Sequence, residues 1–477
     1  MPDEDIFGDA VPPTQRNPRK RAFSDKDRRT LHERLTDCAH NPDLYELAER
    51  LPPPGRVGRP RDYPDVAFLF FLAARSALAS ARRTAAHLEA PEVWTILKAG
   101  ARAELGAAEA ARLPEAGPTR AQWLRAQRRL REQSHDLWDA YRPLALEQAL
   151  EQGIFPEQEV RSWSSPQRHQ LIAADGTVLK SPTLARASQS VDMTTGEIRY
   201  HRVDPASVSQ MEGGGTEVFG PKYVFFSARK DENYLSRVFL DSRYVPHLHP
   251  GGEAAVAVEG VIDIMSAAPG CMGTLYDGAM RGVHRDAIAR YGGLVINKQH
   301  KGNELQFYES LRRGRCTHEL WAASGRIAEK VPLVDGTAEL VPVPIKRLER
   351  RGVRMFRWYH VLVIPCRHGV HEHRVGVGTT SRKGERPPGE SDEERGFHRA
   401  EYLQQIPEFT RTHQLVYPYR SDAESGHAQL DASLWNGRLI SYGVEAQQLL
   451  TLGFVLAQNS TSRALHEEGA PTLRPTA

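Results

Sequence analysis

The sequence predicts a mixed α/β protein: an all-α amino-terminal domain, then a mixed sheet carrying helices, split late by a β-rich insertion. Three observations carry this expectation. Residues 25–152 repeat apolar side chains at helical spacing. At about residue 167 the period drops to two, with runs of β-branched and aromatic residues. From there the segments fall in the order β-β-β-α-β-α-β, with 302–400 reading as further strands.

Taken in order, residues 1–24 read as a disordered tail, broken by Pro12, Pro13 and Pro18. The stretch "DVAFLFFLAARSALAS" predicts a long apolar helix over about 64–79. A short helix over 81–88 follows, and a third begins at Pro91, a residue suited to a first helical turn. Two short helices across a tight break fit a helix-turn-helix with Arg82 and Arg83 at its edge. An ordinary helical bundle fits the same pattern. A basic amphipathic helix runs from about residue 120, and Pro143 is expected to break or kink it. The 25–152 region is the expected DNA-binding domain.

The strand segments are "RHQLIAADGTVLKSP", "KYVFFSARKDE" and "SRVFLDSRYVP". A helix in "GGEAAVAVEGVIDIMSAA", the strand "GCMGTLYDGAM", a helix near 284–291 and the strand "GGLVINK" complete the set. This order is that of the ribonuclease H-like fold, expected over 165–301 and resumed over 401–458, with 302–400 inserted and 459–477 a second disordered tail.

Composition narrows the setting. With 40% hydrophobic and 26% charged residues the chain reads as globular, and a net charge of +3 leaves any polyanion surface to local clustering. Cys38, Cys271, Cys316 and Cys366 form no C-x-x-C pair, which fits a reducing, cytoplasmic setting. "MPDEDIFGDA" has no apolar core, so no secretory signal is expected, and "VAFLFFLAA", closed by Arg75, is too short for a membrane span.

Three acidic residues are the candidate chemistry. Asp175 is expected at the end of the first strand, Asp277 at the end of the fourth, and Glu424 on the helix after the insertion. Ligands of open α/β sheets collect beyond strand ends. Clustered carboxylates repel unless a cation neutralises them, and two Mg²⁺ or Mn²⁺ ions would do so while supplying phosphoryl-transfer chemistry. Each Asp-Gly pair also reads as a hairpin turn, as Asp335-Gly336 does. Along "YPYRSDAESGHAQLD", Tyr417, Arg420, Glu424 and Asp431 return to one face of an α-helix. Asp422 projects elsewhere and is not a candidate ligand.

"ADGT", "LYDGAMRG" and "YPYRSDAESGHAQLD" resemble the three catalytic blocks of bacterial DDE transposases of the insertion-sequence family four type. That group carries Tyr, Arg, Glu and Lys at fixed spacing; Tyr417, Arg420 and Glu424 match, and Asp431 stands where the group has lysine. The resemblance covers about 167–458. It implies a DNA transposase with Asp175, Asp277 and Glu424 as two-metal ligands, and Tyr417 and Arg420 on DNA phosphates. It also implies double-stranded transposon ends as partner, a homodimer on DNA, and a place at the nucleoid. A DNA-binding relic that no longer cuts, favoured by Asp431, and a ribonuclease H-like nuclease without transposition are the rival readings.

Lys298, Lys301, Arg312, Arg313 and Arg315 follow the fifth strand as a candidate phosphate-binding patch. Trp358, in "RMFRWYHV", is either a base-stacking residue or a core residue. Cys316/His318 and Cys366/His368 form two Cys-x-His pairs whose spacing puts both members on one strand face. They read either as a Cys₂His₂ zinc site or as ordinary thiols and surface histidines.

Overall fold

The computed structural model describes residues 5–8, 29–52, 62–159, 162–212, 215–300, 302, 305–378 and 402–469. The helices are α1 (Leu31–Ala39), α2 (Pro42–Glu49), α3 (Asp65–Leu78), α4 (Ala81–Leu88), α5 (Pro91–Leu105), α6 (Ala107–Ala110), α7 (Arg120–Glu132), α8 (Ser134–Glu151), α9 (Gly252–Ala267), α10 (Val283–Tyr291), α11 (Arg411–Val416), α12 (Ser421–Ser433) and α13 (Val444–Gly469). The main strands are β1 (Leu171–Val178), β2 (Lys222–Ala228), β3 (Val238–Val245), β4 (Gly273–Leu275) and β5 (Leu294–Ile296). The insertion adds β6 (Leu305–Arg313), β7 (Cys316–Ala323), β8 (Arg326–Pro332), β9 (Ala338–Pro342), β10 (Ile345–Arg351), β11 (Arg357–Ile364) and β12 (His371–Gly376). Two short hairpins that the strand pattern did not predict fall between β1 and β2, pairing Gln189–Val191 with Ile198–Tyr200 and Val208–Glu212 with Thr216–Gly220.

The protein is therefore mixed α/β with helices first, and its main sheet is mixed. Hydrogen-bonded neighbours follow the order β3-β2-β1-β4-β5. β2 and β3 are antiparallel, whereas β1, β4 and β5 are parallel in the register Leu171↔Gly273↔Leu294.

The chain divides into two compact units, with one boundary between 154 and 155, close to the one expected near 152, but each unit gathers further stretches of chain. Unit 1 takes residues 1–21, 155–175 and 254–421; unit 2 takes 22–154, 176–253 and 422–477. The amino-terminal helices are thus not a domain of their own, because they share one core with later segments. At its centre α3 is buried nearly all round, from Val66 to Ser76, as an apolar helix without a polar face must be. Trp123 of α7 stacks on Phe71 with ring centres 4.4 Å apart. α13 lies so close to α3 that a Cβ on Gly453 would stand 2.5 Å from the Leu72 carbonyl oxygen. Tyr223, Phe225 and Phe239 of the β2–β3 hairpin join the same core.

Local cues explain the helix ends. Ser80 accepts from the Arg83 amide at the start of α4, Pro91 opens α5, and Thr119 with Gln122 forms a capping box on α7. α8, by contrast, runs straight through Pro143 instead of breaking. The carbonyl freed by the missing proline amide belongs to Asp139, which is exposed and so reaches water, while Trp138, Tyr141, Leu144 and Gln148 hold the buried face. Nor does a tail begin at 459. Asn459 is fully buried, accepts from the Phe239 amide at 2.8 Å and donates to the Phe239 carbonyl at 2.9 Å, and the helix continues to Gly469.

Unit 1 is strand-rich. Its core joins Leu171, Leu275, Leu294 and Ile296 of the parallel strands to Leu320, Ile345, Trp358 and Leu362 of the insertion. The insertion forms two sheets, β6-β7-β8-β9 and β10-β11-β12. The start of the expected amino-terminal tail is docked on this unit. Phe7 is 1% exposed, the Ile6 amide donates to the Ile345 carbonyl at 2.9 Å, and Asp5 pairs with Arg326.

Candidate functional site

In unit 1 the parallel strands deliver two carboxylates. Asp175 lies inside β1 rather than at its end, so Asp175-Gly176 is extended strand and not the turn its sequence also allowed. Asp277 follows β4 by two residues, and its Oδ1 accepts from the Ala279 amide at 2.8 Å, a local turn. Asp335 does the same with Thr337 and is an exposed turn residue.

The segment after α11 reaches Asp175 and lies within the field of Asp277. Tyr417–Arg420 forms a 3₁₀ turn and α12 begins only at Ser421, so the four polar residues do not share one continuous α-helix. Pro418 sits in the first turn, where its missing amide costs nothing. In a 3₁₀ turn residues i and i+3 eclipse, so Tyr417 and Arg420 stay on one side. The Arg420 guanidinium is centred 5.9 Å from the Tyr417 ring, and its Nη1 donates to Asp175 Oδ2 at 3.3 Å. Both side chains of that ion pair are largely enclosed, at 19% and 14% exposure.

Tyr417 is the hub of the cluster. Its ring stacks on His413 at 5.0 Å, and the Lys298 ammonium stands 5.8 Å from the ring centre. Burial pushes the Tyr417 phenol above its ordinary pKa; Arg420 opposes this, while Asp277 and Glu408 add to it. The phenol therefore keeps its proton at neutral pH and is a hydrogen-bond donor. Behind it, His413 Nε2 meets the Asn297 carbonyl at 3.1 Å, and Asn297 Nδ2 donates to the Met280 carbonyl at 2.6 Å. Asn297 thereby ties the end of β5 to the loop carrying Asp277. Buried Glu408 accepts from the Gln299 amide at 2.7 Å. Motif spacing had not singled out Asn297, His413 or Glu408. The polar residues directly after β5, "NKQ", were the available signal for the first.

Glu424 is exposed in the first turn of α12, in unit 2. Two residues earlier Asp422 is 3% exposed and ion-paired with buried Arg229, so it has a structural task. His427 meets Phe225 edge to face at 5.9 Å. Asp431 is also at the surface. Partial burial raises its carboxyl pKa, Lys180 opposes that rise, and Glu212 adds to it.

The remaining expected contacts differ in their placement, and of them Lys298 alone is described beside the Tyr417 ring. Lys298 is exposed, as are Arg312, Arg313 and Arg315 at the β6–β7 hairpin tip, and Lys301 lies outside the described residues. Trp358 is 2% exposed, donates to the Ala289 carbonyl at 2.8 Å and meets Trp163 edge to face at 5.1 Å. It is a core tryptophan, and a base would reach its ring only by displacing that packing.

Asp175 and Asp277 offer hard oxygen donors, the set that Mg²⁺ or Mn²⁺ takes. Arg420 is the cation Asp175 holds in this structure. No protein-family model matches the chain, and no curated protein matches it significantly.

Proposed function

We propose that the protein is a DDE-type transposase, a metal-dependent enzyme that cleaves and joins DNA strands at transposon ends. The observation that carries the reading is the reach of the Tyr417–Arg420 turn. Arg420 contacts Asp175, and the charge of Asp277 helps raise the Tyr417 pKa, so the third motif block touches the first and lies near the second. The strand order β3-β2-β1-β4-β5, with its antiparallel hairpin followed by parallel strands, supports a ribonuclease H-like plan.

In this reading Asp175 and Asp277 hold two Mg²⁺ or Mn²⁺ ions, with Glu424 as the third carboxylate that the resemblance implies. Bound there, the ions would activate the attacking water or 3′-hydroxyl and stabilise the leaving oxygen. Arg420 then turns its planar guanidinium from Asp175 to a DNA phosphate, which it holds by two parallel hydrogen bonds. Tyr417 donates its phenolic proton to a second phosphate oxygen. Lys298 adds positive charge beside the ring and keeps the strand against the site. Action on paired ends by a homodimer, in the cytoplasm at the nucleoid, follows from the resemblance.

Asp431 favours a second reading, DNA binding without cutting, because a carboxylate repels phosphate where the group carries lysine. Nicking of supercoiled plasmid with Mg²⁺ or Mn²⁺ separates the two. The wild type should nick, Asp175→Ala and Asp277→Ala should not, and Asp335→Ala should match the wild type. Undiminished nicking by Asp175→Ala overturns the site. Tight DNA binding by a wild type that never cuts selects the second reading.

A further inference from the structure

The two sheets of the insertion meet at a second set of donors, of softer character. Cys316 and His318 lie two residues apart on β7, hence on one face of the strand. Cys366 follows β11 in the tight turn closed by Gly369, whose amide donates to the Cys366 carbonyl at 3.0 Å with φ at +104°. One ligand atom each from Cys316, His318 and Cys366 lies within 4.8 Å of the others. Among the described residues no other trio of cysteine, histidine or carboxylate groups is gathered so closely.

The histidine is oriented as a ligand would be. His318 is 5% exposed, and its Nδ1 lies 2.6 Å from Glu329 Oε1. A carboxylate only accepts, so Nδ1 carries the proton, and in the neutral ring Nε2 bears the lone pair. That Nε2 is buried, makes no hydrogen bond of ordinary geometry, and faces the Cys366 thiol. A buried imidazole nitrogen left unsatisfied is costly unless something binds it. His371, the first residue of β12, has its ring 6.4 Å from the His318 ring, and its Nε2 is likewise buried and unpartnered. His368, by contrast, is exposed in the turn, so the second pair suggested by spacing gives way to Cys366 and His371.

We propose that Cys316, His318, Cys366 and His371 bind a structural Zn²⁺ ion that fastens the β6–β9 sheet to the β10–β12 sheet. Two thiolates and two imidazoles are a donor set that zinc takes tetrahedrally. Ligand atoms of such a site stand about 3.3–3.8 Å apart, so the trio, already within 4.8 Å, needs only a small closure on the metal. Each thiol loses its proton on binding, and two thiolates neutralise the ion. The Glu329 carboxylate holds His318 in the correct tautomer, as outer-shell carboxylates do at zinc sites.

The experiment uses the full chain, reduced and stripped of metal, titrated with Co²⁺ as a spectroscopic probe. Thiolate-to-cobalt charge-transfer absorption together with tetrahedral d–d bands should saturate at one ion per chain and be bleached by one equivalent of Zn²⁺. Cys316→Ser and Cys366→Ser should lose the charge-transfer band, whereas Cys38→Ser, altered in α1, should keep it. Glu329→Gln should keep the band but weaken zinc binding about 10- to 100-fold. Should the cysteine variants fail to fold, the wild type still decides the matter. A folded wild type without a thiolate–cobalt band overturns the site, as does a Cys316–Cys366 disulfide in protein isolated with zinc and reductant present.

Discussion

The most telling ion pairs of the two units are enclosed to different degrees. Unit 2 is organised around one large apolar core of helices, and its buried charges, such as Asp422 with Arg229, are spent on holding elements together. Unit 1 is made chiefly of short strands, and at the candidate site Arg420 pairs with Asp175 while Arg420 and Lys298 both stand against the Tyr417 ring. An ion pair sealed inside a core is a structural commitment, because removing one partner strands the other in a low dielectric. A pair that keeps some contact with solvent, as Arg420–Asp175 does at 19% and 14% exposure, exchanges partners at lower cost than a sealed one, which a site that must accept an ion or a phosphate requires.

This contrast can be broken by experiment, beginning with the largest effect. Asp175→Ala should lower nicking by roughly a thousandfold or more, yet shift urea unfolding less than Asp422→Ala does, because its pair with Arg420 keeps more contact with solvent. A collapse of stability instead would mean that Asp175 is structural. Next come two neighbours on one helix. Asp422→Ala should cost about 3–5 kcal/mol by stranding Arg229, while Glu424→Ala should stay within about 0.5 kcal/mol of wild type and lose nicking. If both unfold alike, the division of labour along α12 is wrong.

The units should also respond to acid with opposite sign. In unit 1, burial holds His360 down to about 4; its contact with the Gln405 carbonyl works against this, Arg326 adds to the depression, and Asp5 opposes it. The unfolded chain therefore takes up that proton first, near pH 6.5. As pH falls from there to about 4, unit 1 loses up to about 3 kcal/mol. In unit 2, burial lifts Asp37 and Asp43 to about 6, opposed by Arg29 and Arg463 respectively. Here the folded state takes the protons first, so unit 2 gains stability as pH drops from above 6 towards 4. Hydrogen exchange at pH 7 and pH 5, corrected for intrinsic rates, should show β10–β12 opening more easily and α1–α2 less. Parallel changes in both would sink the assignment. The smallest effect concerns Asp431→Lys, which should tighten DNA binding severalfold at low salt, a gain of about 1 kcal/mol that fades as salt screens it. A flat response would mean that this end of α12 does not face DNA.

How much of this could be read in the sequence depended on whether a cue was local. α3 and α4 begin and end, and α5 begins, within a residue or so of expectation because cues such as Ser80 and Pro91 act on their immediate neighbours. The run through Pro143 and the burial of Asn459 were hidden, since both depend on which distant surface packs against the helix. Phe7 likewise looks like part of a polar tail until Ile345 and Thr412 supply partners for its neighbourhood. At the site, motif spacing brought out Asp175, Asp277, Tyr417 and Arg420. It could not find Asn297 or His413, whose roles come from one backbone carbonyl meeting one ring. The zinc ligands divide the same way. Spacing paired Cys316 with His318, but the turn at Gly369 decided that His371 rather than His368 comes inward.

Each unit is assembled from three separated stretches of chain, and this bears on how the protein comes into being on the ribosome. The apolar surface of α3 (Asp65–Leu78) is finished early, but α13 (Val444–Gly469), which covers it through the Leu72–Gly453 contact, is made several hundred residues later. At roughly 5–20 residues per second, α3 waits some tens of seconds for its partner. Throughout that time "VAFLFFLAA" is a sticky, incomplete surface, a natural client for a chaperone, and folding is largely post-translational. A nascent chain halted before Val444 should therefore stay protease-sensitive throughout residues 29–154. Deleting those residues should strip α13 and the β2–β3 hairpin of their core rather than release an independent catalytic piece.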